Sequence, residues 1–421
     1  TTGSNNTAIG QDALFYNTTA SNNTAVGQNA LTTNTTGTEN TALGTEAGYY
    51  NTTGDGNTAL GYRAYGRGSS TNASTGDSNT AIGRFALYSN RDASNNTAVG
   101  NSALQENTTG VENTATGQGT LETNTTGREN AAFGERALQL NTTGSYNTAV
   151  GRAALINNTT ANNNTAVGFK ALLANTIGEN NVAVGMNAMT ANTEGLTNTA
   201  VGQAALSGNT TGDSNVAIGR LALEANTTGT SNVAVGALAG DALTTGGSNV
   251  LIGYSTGTYG ANLTTGSGNV LIGPYTDSTT AGGNQAHGLG YNLDCAPSYT
   301  TLGNNASDIR AAHGNVTWAT VSDERYKKDI VDSTAGLSFI NALQPRTFKY
   351  KTLGELPETF RAYEADSTEV FKNSDTNHGF IAQEIKAAID ADDSIADGFR
   401  LWDDRDDGSQ EVAEAALIPI L

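Results

Sequence analysis

The sequence lacks the residues from which several common classes of protein are built. Its 421 residues include one Cys and five Pro, and aromatic residues make up only 6% of the chain. The lone Cys295 excludes a disulfide framework and a cysteine-based zinc site. No apolar run approaches the roughly 18 residues that a membrane span requires. Because aromatic residues are so few, a large aromatic-rich core is excluded as well.

Charged side chains are also scarce, at 14% of the chain, and acidic residues dominate them. The 21 Lys and Arg residues are outnumbered by 40 Asp and Glu residues, which gives a formal net charge of -19. Nucleic-acid recognition needs a basic stripe, and the sequence contains none. It also contains no histidine cluster, HExxH motif, P-loop or nucleophile elbow. We therefore expect no nucleic-acid partner, no metal and no cofactor.

The sequence is rich instead in Asn, Thr, Ala and Gly, arranged in a seventeen-residue repeat. Sixteen copies of the pentapeptide Asn-Thr-Ala-Val-Gly, with small variations, begin between Asn6 and Asn269. Their spacing is constant, as from Asn6 to Asn23, except for two longer intervals that follow Asn57 and Asn249. The full unit reads N-T-A-V-G-x-x-A-L-x-x-N-T-T-G-x-x, and we number its positions 1 to 17 from the first Asn. Such regular spacing indicates a repeat architecture.

Each part of the unit predicts a local structure. In late copies, positions 2 and 4 are apolar and β-branched, as in Val182 and Val184, which is the period-2 pattern of a short strand. We expect these two side chains to face the interior. The Gly at position 5 and the Asn-Thr-Thr-Gly segment predict turns, and the Ala-Leu pair at positions 8 and 9 offers a second apolar anchor.

The repeat length predicts a β-solenoid with one coil per unit. Such a unit is too short for a helical repeat, and stacked coils about 4.8 Å apart would give a rod on the order of 75 Å long. Fixing one coil costs roughly 17 to 34 kcal/mol of backbone entropy. Burying three or four aliphatic side chains returns only about 1.5 to 3 kcal/mol each. One coil therefore cannot fold alone, and we expect stacking and several chains sharing a core.

The Val-Ala-Val-Gly and Val-Ala-Ile-Gly cores at 182–185, 216–219 and 233–236 resemble the head repeats of YadA-like trimeric autotransporter adhesins. The resemblance covers roughly residues 5 to 275, although the repeat of that family is usually shorter. It implies a left-handed parallel β-roll in which three chains associate side by side. We therefore expect a homotrimer.

The recurring Asn residues admit two interpretations. Equivalent Asn side chains of successive coils can hydrogen-bond to one another as a ladder, which is the interpretation that we favour. Alternatively, Asn residues in N-x-S/T sequons carry glycans. The sequons include Asn17, Asn34, Asn72, Asn95, Asn124, Asn158, Asn262 and Asn315. A related question concerns Tyr49, Tyr50, Tyr62 and Tyr65, which lie beside the first insertion. We expect them to be exposed, where they could contact a sugar or pack the loop.

A different domain follows the repeat. Residues 316–421 carry 11 Lys and Arg against 21 Asp and Glu, whereas the preceding 315 residues carry only 10 against 19. We expect a solenoid shaft over 1–283, an irregular β junction over 284–321 and a small α+β domain over 322–421. Its apolar spacing predicts an amphipathic helix from about 381 to 391 and a second helix from near Glu411. Since the sequence begins without Met and ends within an apolar stretch, we expect an excerpt of a longer polypeptide.

Three ordered motifs in this domain carry a second resemblance. They are Val-Ser-Asp-Glu-Arg-Tyr-Lys-Lys-Asp-Ile at 321–330, Ala-Leu-Gln-Pro-Arg-Thr-Phe-Lys-Tyr at 342–350 and His-Gly-Phe-Ile-Ala-Gln-Glu at 378–384. Together they resemble the peptidase S74 family, the intramolecular chaperone domain of endosialidase-type phage tail spikes and fibres, over approximately 320–421. The resemblance implies a trimeric chaperone that folds the β-rich fibre ahead of it and then releases itself by autoproteolysis.

The resemblance also implies a catalytic pair. The Ser-Lys pair of the family falls on Ser322 and Lys327, and its scission site falls on Ser322-Asp323. A Ser hydroxyl is a poor nucleophile until a base takes its proton, and a Lys serves only when burial or a neighbouring cation lowers its pKa. Otherwise Ser322 caps a turn and Lys327 lies on a solvated surface. His378 is either a structural residue or a catalytic helper.

The sequence as a whole predicts a structural and adhesive fibre, extracellular or on a virion surface. Its partners would be further copies of the chain and a host cell-surface receptor or glycan. The alternative is a self-assembling surface filament or matrix protein that keeps an uncleaved S74-like cap. Near-identical coils encode their register weakly, because a slip by one whole repeat preserves nearly every contact. A C-terminal domain that trimerises first would set that register.

Overall fold

A computed structural model gives the structure of the chain as two compact units, Thr1–Val321 and Ser322–Leu421. The structure describes residues 2–66, 73–304, 307–313, 319–320, 337–360, 363–371, 374–391, 402–404 and 410–412.

The described part of the first unit is dominated by one short strand per repeat, which confirms the mainly β solenoid. Each of these strands spans positions 2 to 4 of the unit. They are β1 Thr7–Ile9, β2 Thr24–Val26, β3 Thr41–Leu43, β4 Thr58–Leu60, β5 Thr80–Ile82, β6 Thr97–Val99, β7 Thr114–Thr116, β8 Ala131–Phe133, β9 Thr148–Val150, β10 Thr165–Val167, β11 Val182–Val184, β12 Thr199–Val201, β13 Val216–Ile218, β14 Val233–Val235, β15 Val250–Ile252 and β16 Val270–Ile272.

Successive strands pair in parallel and in the register of the repeat. Thr165 lies opposite Val182 and Ala166 lies opposite Ala183, and the same pairing recurs from β1 to β16. The insertion between β4 and β5 leaves this register intact, because Thr58 pairs with Thr80. The stacked parallel coils support the YadA-like resemblance at the level of architecture.

The interior of the solenoid is lined by the small residue at position 3, and this overturns one expectation. Ala183 is fully buried, whereas Val182 on one side of it is 36% exposed and Val184 on the other is half-buried. The prediction that the two valines face inward was therefore wrong. The space behind the strand is narrow, so the methyl group of Ala fits there and the β-branched side chains point outward.

The Ala-Leu pair completes the interior, as predicted. Ala154 and Leu155 are fully buried, and so are their equivalents in most coils. The backbone at Leu155 lies in the left-handed region, with φ of 52°, which lets two consecutive side chains enter the core from one tight turn. Three small or medium apolar side chains per coil form a continuous core along the stack.

Two ladders of buried Asn side chains tie the coils together, which confirms the favoured interpretation. In the ladder at position 1, Oδ1 of Asn130 accepts a hydrogen bond from the backbone N–H of Asn147 at 3.0 Å, and Asn147 Nδ2 donates to the Ala161 carbonyl at 2.9 Å. In the ladder at position 12, Asn141 Nδ2 donates to Asn124 Oδ1 at 2.8 Å and to the Gly144 carbonyl at 2.9 Å. Each Asn thus satisfies turn groups that would otherwise be buried without partners.

The parallel ladder continues beyond residue 283, where the pentapeptides stop, and then changes direction. The strands of this segment are β17 Asp277–Ser278, β18 His287–Tyr291, β19 Asp294–Cys295, β20 Tyr299–Asn304, β21 Ser307–Ala312 and β22 Ala319–Thr320. β18 pairs in parallel with β16 and with β20, whereas β20, β21 and β22 pair antiparallel.

The second unit mixes helices with short antiparallel hairpins. Its elements are α1 Leu337–Ala342, β23 Arg346–Phe348, a 3-10 turn Leu353–Glu355, β24 Asn377–Gly379, α2 Ala382–Asp390, β25 Trp402–Asp404 and β26 Gln410–Val412. α2 confirms the amphipathic helix, and Ile385 and Ile389 are its buried residues. The helix predicted from near Glu411 was wrong over 410–412, which pair as a strand with β25. Residues 413–421 lie outside the described part.

Candidate functional site

Two of the three C-terminal motifs meet in one small structure. β23 comes from the motif at 342–350 and β24 from the motif at 378–384, and the two strands form an antiparallel pair in which Thr347 lies opposite His378. The Arg346 guanidinium donates to both carboxylate oxygens of Glu384, at 2.7 and 2.9 Å. These hydrogen bonds lower the pKa of Glu384 and fasten α2 to the hairpin, in the bidentate geometry that suits guanidinium and carboxylate.

His378 lies on this hairpin, where it is exposed. Its Nδ1 is 3.3 Å from the hydroxyl oxygen of Thr347 on the neighbouring strand. Whether it assists a reaction or only supports the hairpin stays a prediction.

The predicted catalytic pair and scission site fall outside the described residues. Ser322, Asp323 and Lys327 all belong to the motif at 321–330, which the described ranges leave out. Their assignment as nucleophile, scission site and base therefore rests on the sequence.

On the first unit, the main exposed feature is the outward face of the strand ladder. Position 4 presents an aliphatic or aromatic side chain in nearly every coil, in a row that we call the outer row. Within the described chain many of its members keep a third or more of their surface exposed: Ile9 60%, Leu43 47%, Leu60 40%, Phe133 42%, Val150 37%, Val201 37%, Ile218 41% and Leu289 54%. Because the strands are in register, these side chains form one apolar stripe, which Thr116 interrupts in β7.

The structure separates the sequons by accessibility. Asn34, Asn124 and Asn158 are fully buried members of the position-12 ladder, so a glycan on any of them is incompatible with the folded coil. Asn95 and Asn262 are exposed, so the fold leaves these two accessible.

The tyrosines beside the first insertion divide in the same way. Tyr65, expected to be exposed, is fully buried, and its hydroxyl donates to the Gly76 carbonyl at 2.6 Å. The correction has a simple cause, since Tyr65 occupies position 9, where other coils bury Leu. Tyr62 is 41% exposed and stacks at its edge on Phe85.

Other reactive groups near the end of the solenoid are few. Cys295 is buried, and burial raises the pKa of its thiol to about 12, so it remains a neutral packing residue. The rings of His287 and His313 lie 4.6 Å apart between centroids. Over the ranges that the structure describes, no three His, Cys, Asp or Glu residues are grouped to hold a metal ion, and no helix has the length and apolar character of a membrane span.

Sequence reasoning missed the exposure of the outer row because it placed those side chains in the core. A signal was present nonetheless. Position 3 is Ala in nearly every copy while position 4 varies among Val, Ile, Leu, Phe and, in one copy, Thr, and a tightly packed interior tolerates variation in size less than a surface does.

Comparison with known proteins adds one finding. No curated protein matches the chain. Its C-terminal part, over residues 322–393, matches the family model Peptidase_S74, chaperone of endosialidase.

Proposed function

We propose that the chain is the subunit of an extracellular fibre like those of phage tails, a homotrimer whose solenoids associate side by side. The C-terminal unit brings the three chains together and sets their register. The observation that carries this proposal is the outer row, and the Peptidase_S74 match over 322–393 supports the assembly role.

The outer row favours association because it leaves apolar surface in water. Monomeric proteins rarely expose a contiguous apolar patch of more than a few hundred Å², and burying an aliphatic side chain fully is worth about 1.5 to 3 kcal/mol. The row runs from Ile9 to Leu289, one residue per coil. A partner with the same coil spacing matches it along its whole length, and a second copy of this chain has that spacing.

Register explains why such a fibre needs a chaperone. Each coil presents nearly the same outer surface, so three chains that are offset by one whole repeat lose few contacts. Association of the C-terminal units first removes this ambiguity, and coils can then pair in sequence from that end.

The proposed last step is release by self-cleavage at Ser322-Asp323. The Ser322 hydroxyl of one chain attacks the carbonyl carbon of Ser322 in a neighbouring chain, because attack on its own carbonyl would close a strained four-membered ring. Lys327 takes the hydroxyl proton and passes it to the departing amine of Asp323 as the peptide bond breaks, and water then hydrolyses the ester. His378 acts as a helper. The exposed hairpin position of His378 is compatible with that role. The product would be a mature shaft that ends near residue 322.

Oligomeric mass tests the association. We expect sedimentation equilibrium of the full chain to give a trimer, and we expect the double variant Val201→Asp/Ile218→Asp to shift it towards monomer. The control is Ile177→Asp, which changes an aliphatic residue that is 52% exposed but lies off the outer row. A monomeric wild type, or a double variant that trimerises like the control, would refute the proposal.

Truncation tests the assembly role separately. A chain ending at Val321 should misassemble or aggregate, since it lacks the unit that aligns its partners. Soluble trimers of correct mass from this truncated chain would contradict the chaperone assignment while leaving the association intact.

Intact mass measurement tests the cleavage. We expect an N-terminal fragment that ends near Ser322 from the wild type and none from Ser322→Ala or Lys327→Ala, with Ser333→Ala as the matched control. An intact wild-type chain in the mature oligomer would instead identify the C-terminal unit as a permanent cap of a filament.

A further inference from the structure

A polar groove interrupts one corner of the solenoid at the coils that begin at Asn96, Asn113 and Asn130. It is open to solvent and has a volume of about 280 Å³, and its walls include Asn101, Gln118, Glu122, Arg136 and Gln139. These residues occupy positions 6, 7 and 10, so they lie on the turn that follows each strand. The outer row lies on the strands themselves, at position 4, and the groove residues do not belong to it.

The groove exists because one coil departs from the repeat. Position 7 carries a side chain in the flanking coils, Ser102 and Arg136, but it is Gly119 in the middle coil. A Cβ at Gly119 would lie 3.3 Å from Oε2 of Glu122, so any side chain there would occupy the groove. The left-handed φ of 62° does not require glycine, because Asn29 has φ of 59° at the same position.

The groove walls are arranged to hydrogen-bond a ligand rich in hydroxyl groups. Gln139 Nε2 donates to Glu122 Oε2 at 2.6 Å, and Arg136 Nε donates to Gln139 Oε1 at 2.7 Å. This network fixes a carboxylate, an amide and a guanidinium side by side. Within the described chain the Gln118 amide makes no hydrogen bond, so both its donor and its acceptor are available to a ligand.

Charge restricts the class of ligand further. Glu122 and Glu135 face the groove against the single cation of Arg136, and Glu135 is itself paired with Arg152 at 3.3 Å. Within the groove this balance disfavours phosphates, sialylated chains and other anions. Farther along the same corner, the guanidinium groups of Arg63 and Arg84 lie over the rings of Tyr62 and Phe85, 5.2 and 4.6 Å from the ring centroids. The wall atoms are mostly polar, which disfavours an apolar peptide side chain.

An aromatic patch lies on the same corner, a short distance along the stack. The Phe85 ring is 5.7 Å from the Tyr62 ring and 5.2 Å from the Tyr88 ring, between centroids. Phe85 is at position 7 of its coil, and Ser102 of the groove is at position 7 of the next coil. The backbone N–H of Ser102 donates to the carbonyl of Arg84, the residue before Phe85, so the two coils stack directly at this corner. Patch and groove therefore form one strip from the coil of Tyr62 to the coil of Arg136, about 19 Å long at 4.8 Å per coil.

We propose that this strip, from Tyr62 to Gln139, binds a neutral oligosaccharide. Sugar rings present apolar C–H faces that stack on aromatic rings, and they present hydroxyl groups in pairs that carboxylate and amide groups hold. The inference deepens the proposed function, since it assigns the receptor chemistry of the adhesive fibre, and it rests on that function for its setting outside the cell.

The test is a glycan array probed with the full chain, followed by titration of the best ligand. The array carries neutral hexose and N-acetylhexosamine oligosaccharides with matched sialylated and sulfated chains. We expect binding to neutral chains, and at least a tenfold loss of affinity in Gly119→Asn and in Phe85→Ala. Ala204→Asn is the matched control, because it adds the same side chain at position 7 of a coil outside the strip, at φ of 54°.

The outcomes separate the two proposals when sedimentation is run on the same samples. Three results would each overturn the strip as a glycan site, even if the trimer forms. They are no binding to neutral oligosaccharides, binding only to anionic oligosaccharides, and wild-type affinity in Gly119→Asn. If the wild-type chain is a monomer that binds neutral oligosaccharides, and Gly119→Asn abolishes this binding, the result would support the strip as a glycan site and overturn the proposal of a trimer.

Discussion

The glycine at position 5 is the residue on which each turn out of a strand depends. From Gly10 to Gly273 its φ lies between 122° and 140°, a region that residues with a side chain rarely adopt. The backbone of the next coil also approaches it closely. A Cβ at Gly151 would lie 2.6 Å from the Gly168 carbonyl oxygen, so conformation and space both exclude a side chain.

We therefore predict that Gly151→Ala lowers the free energy of unfolding by at least about 2 kcal/mol, because strain at such a backbone position costs of order 1 to 3 kcal/mol before any steric clash is added. Urea unfolding followed by circular dichroism measures the change. The control is Ala153→Asn in the same coil, where φ of 58° suits Asn. Equal stability of the two variants would show that the coil relaxes around a methyl group.

A second prediction at this scale concerns pH. Burial, together with the nearby His313 ring, lowers the pKa of His287 in the folded chain. The unfolded chain therefore binds a proton at a higher pH than the folded chain does, and stability falls as the pH drops through the ordinary His pKa of about 6.5.

We expect the thermal midpoint to fall between pH 7.5 and 5.5, and to fall less in His287→Gln. His378→Gln is the control, since that exposed residue lies in the other unit. A pH dependence that is unchanged in His287→Gln would assign the effect to other groups.

At the scale of the strand, the buried face and the exposed face differ in how large a side chain they accommodate. Ala149 is fully buried, while Val150 beside it is 37% exposed. Overpacking a filled interior costs about 1 to 3 kcal/mol, so we predict that Ala149→Val destabilises the chain more than Val150→Ala does. Urea unfolding of both variants at one protein concentration decides the matter. The reverse order would restore the inward orientation expected from the alternation of residues.

The existence of the strands could be predicted from the sequence, but not which face was buried. An alternation of period two defines two faces, and hydrophobicity then suggests that Val182 and Val184 point inward. The narrow interior decides otherwise, because in most coils the buried Leu at position 9 leaves room at position 3 only for the methyl group of Ala. This constraint arises between coils, and no single copy of the repeat expresses it.

The total side-chain volume in the interior is also conserved between neighbouring coils. The sequence shows this only once it is known which positions of neighbouring coils contact each other. Leu251 replaces the usual Ala at position 3, and Gly240 in the preceding coil replaces the usual Leu at position 9. A Cβ on Gly240 would lie 2.6 Å from Leu251 Cδ1, so the larger and the smaller residue compensate each other. Such exchanges keep the core at native packing density.

The second unit was predictable where one element carries its own pattern. α2 has apolar residues at helical spacing and lies where the sequence predicted it, at Ala382–Asp390. The second helix is predicted to begin near Glu411 and to run into the apolar residues that follow, yet Glu411 and Val412 pair with β25. That pairing depends on a partner strand, which local sequence does not reveal. The ion pair between Arg346 and Glu384 likewise joins residues that are distant in the sequence, so local sequence does not reveal it.

For the whole solenoid, stability should be close to a sum over coils, because each coil contacts only its neighbours. The contributions to this sum are interchangeable: Thr114 pairs with Ala131, and Val182 pairs with Thr199, in the same register. A whole number of coils can therefore be removed without creating an unmatched surface, whereas a fractional number leaves a strand opposite a turn.

We predict that deleting residues 130–197, which are four complete coils, leaves a folded solenoid that is shorter by about 19 Å at 4.8 Å per coil. Small-angle scattering measures the maximum dimension, and circular dichroism checks the strand content. The control deletes 130–189, which ends out of phase with the repeat and brings Thr190 of position 10 to the place of position 1. It loses the Asn ladder at the junction, so we expect it to aggregate or unfold around the join. If both deletions fold equally well, the coils of one chain do not depend on in-phase stacking against their neighbours.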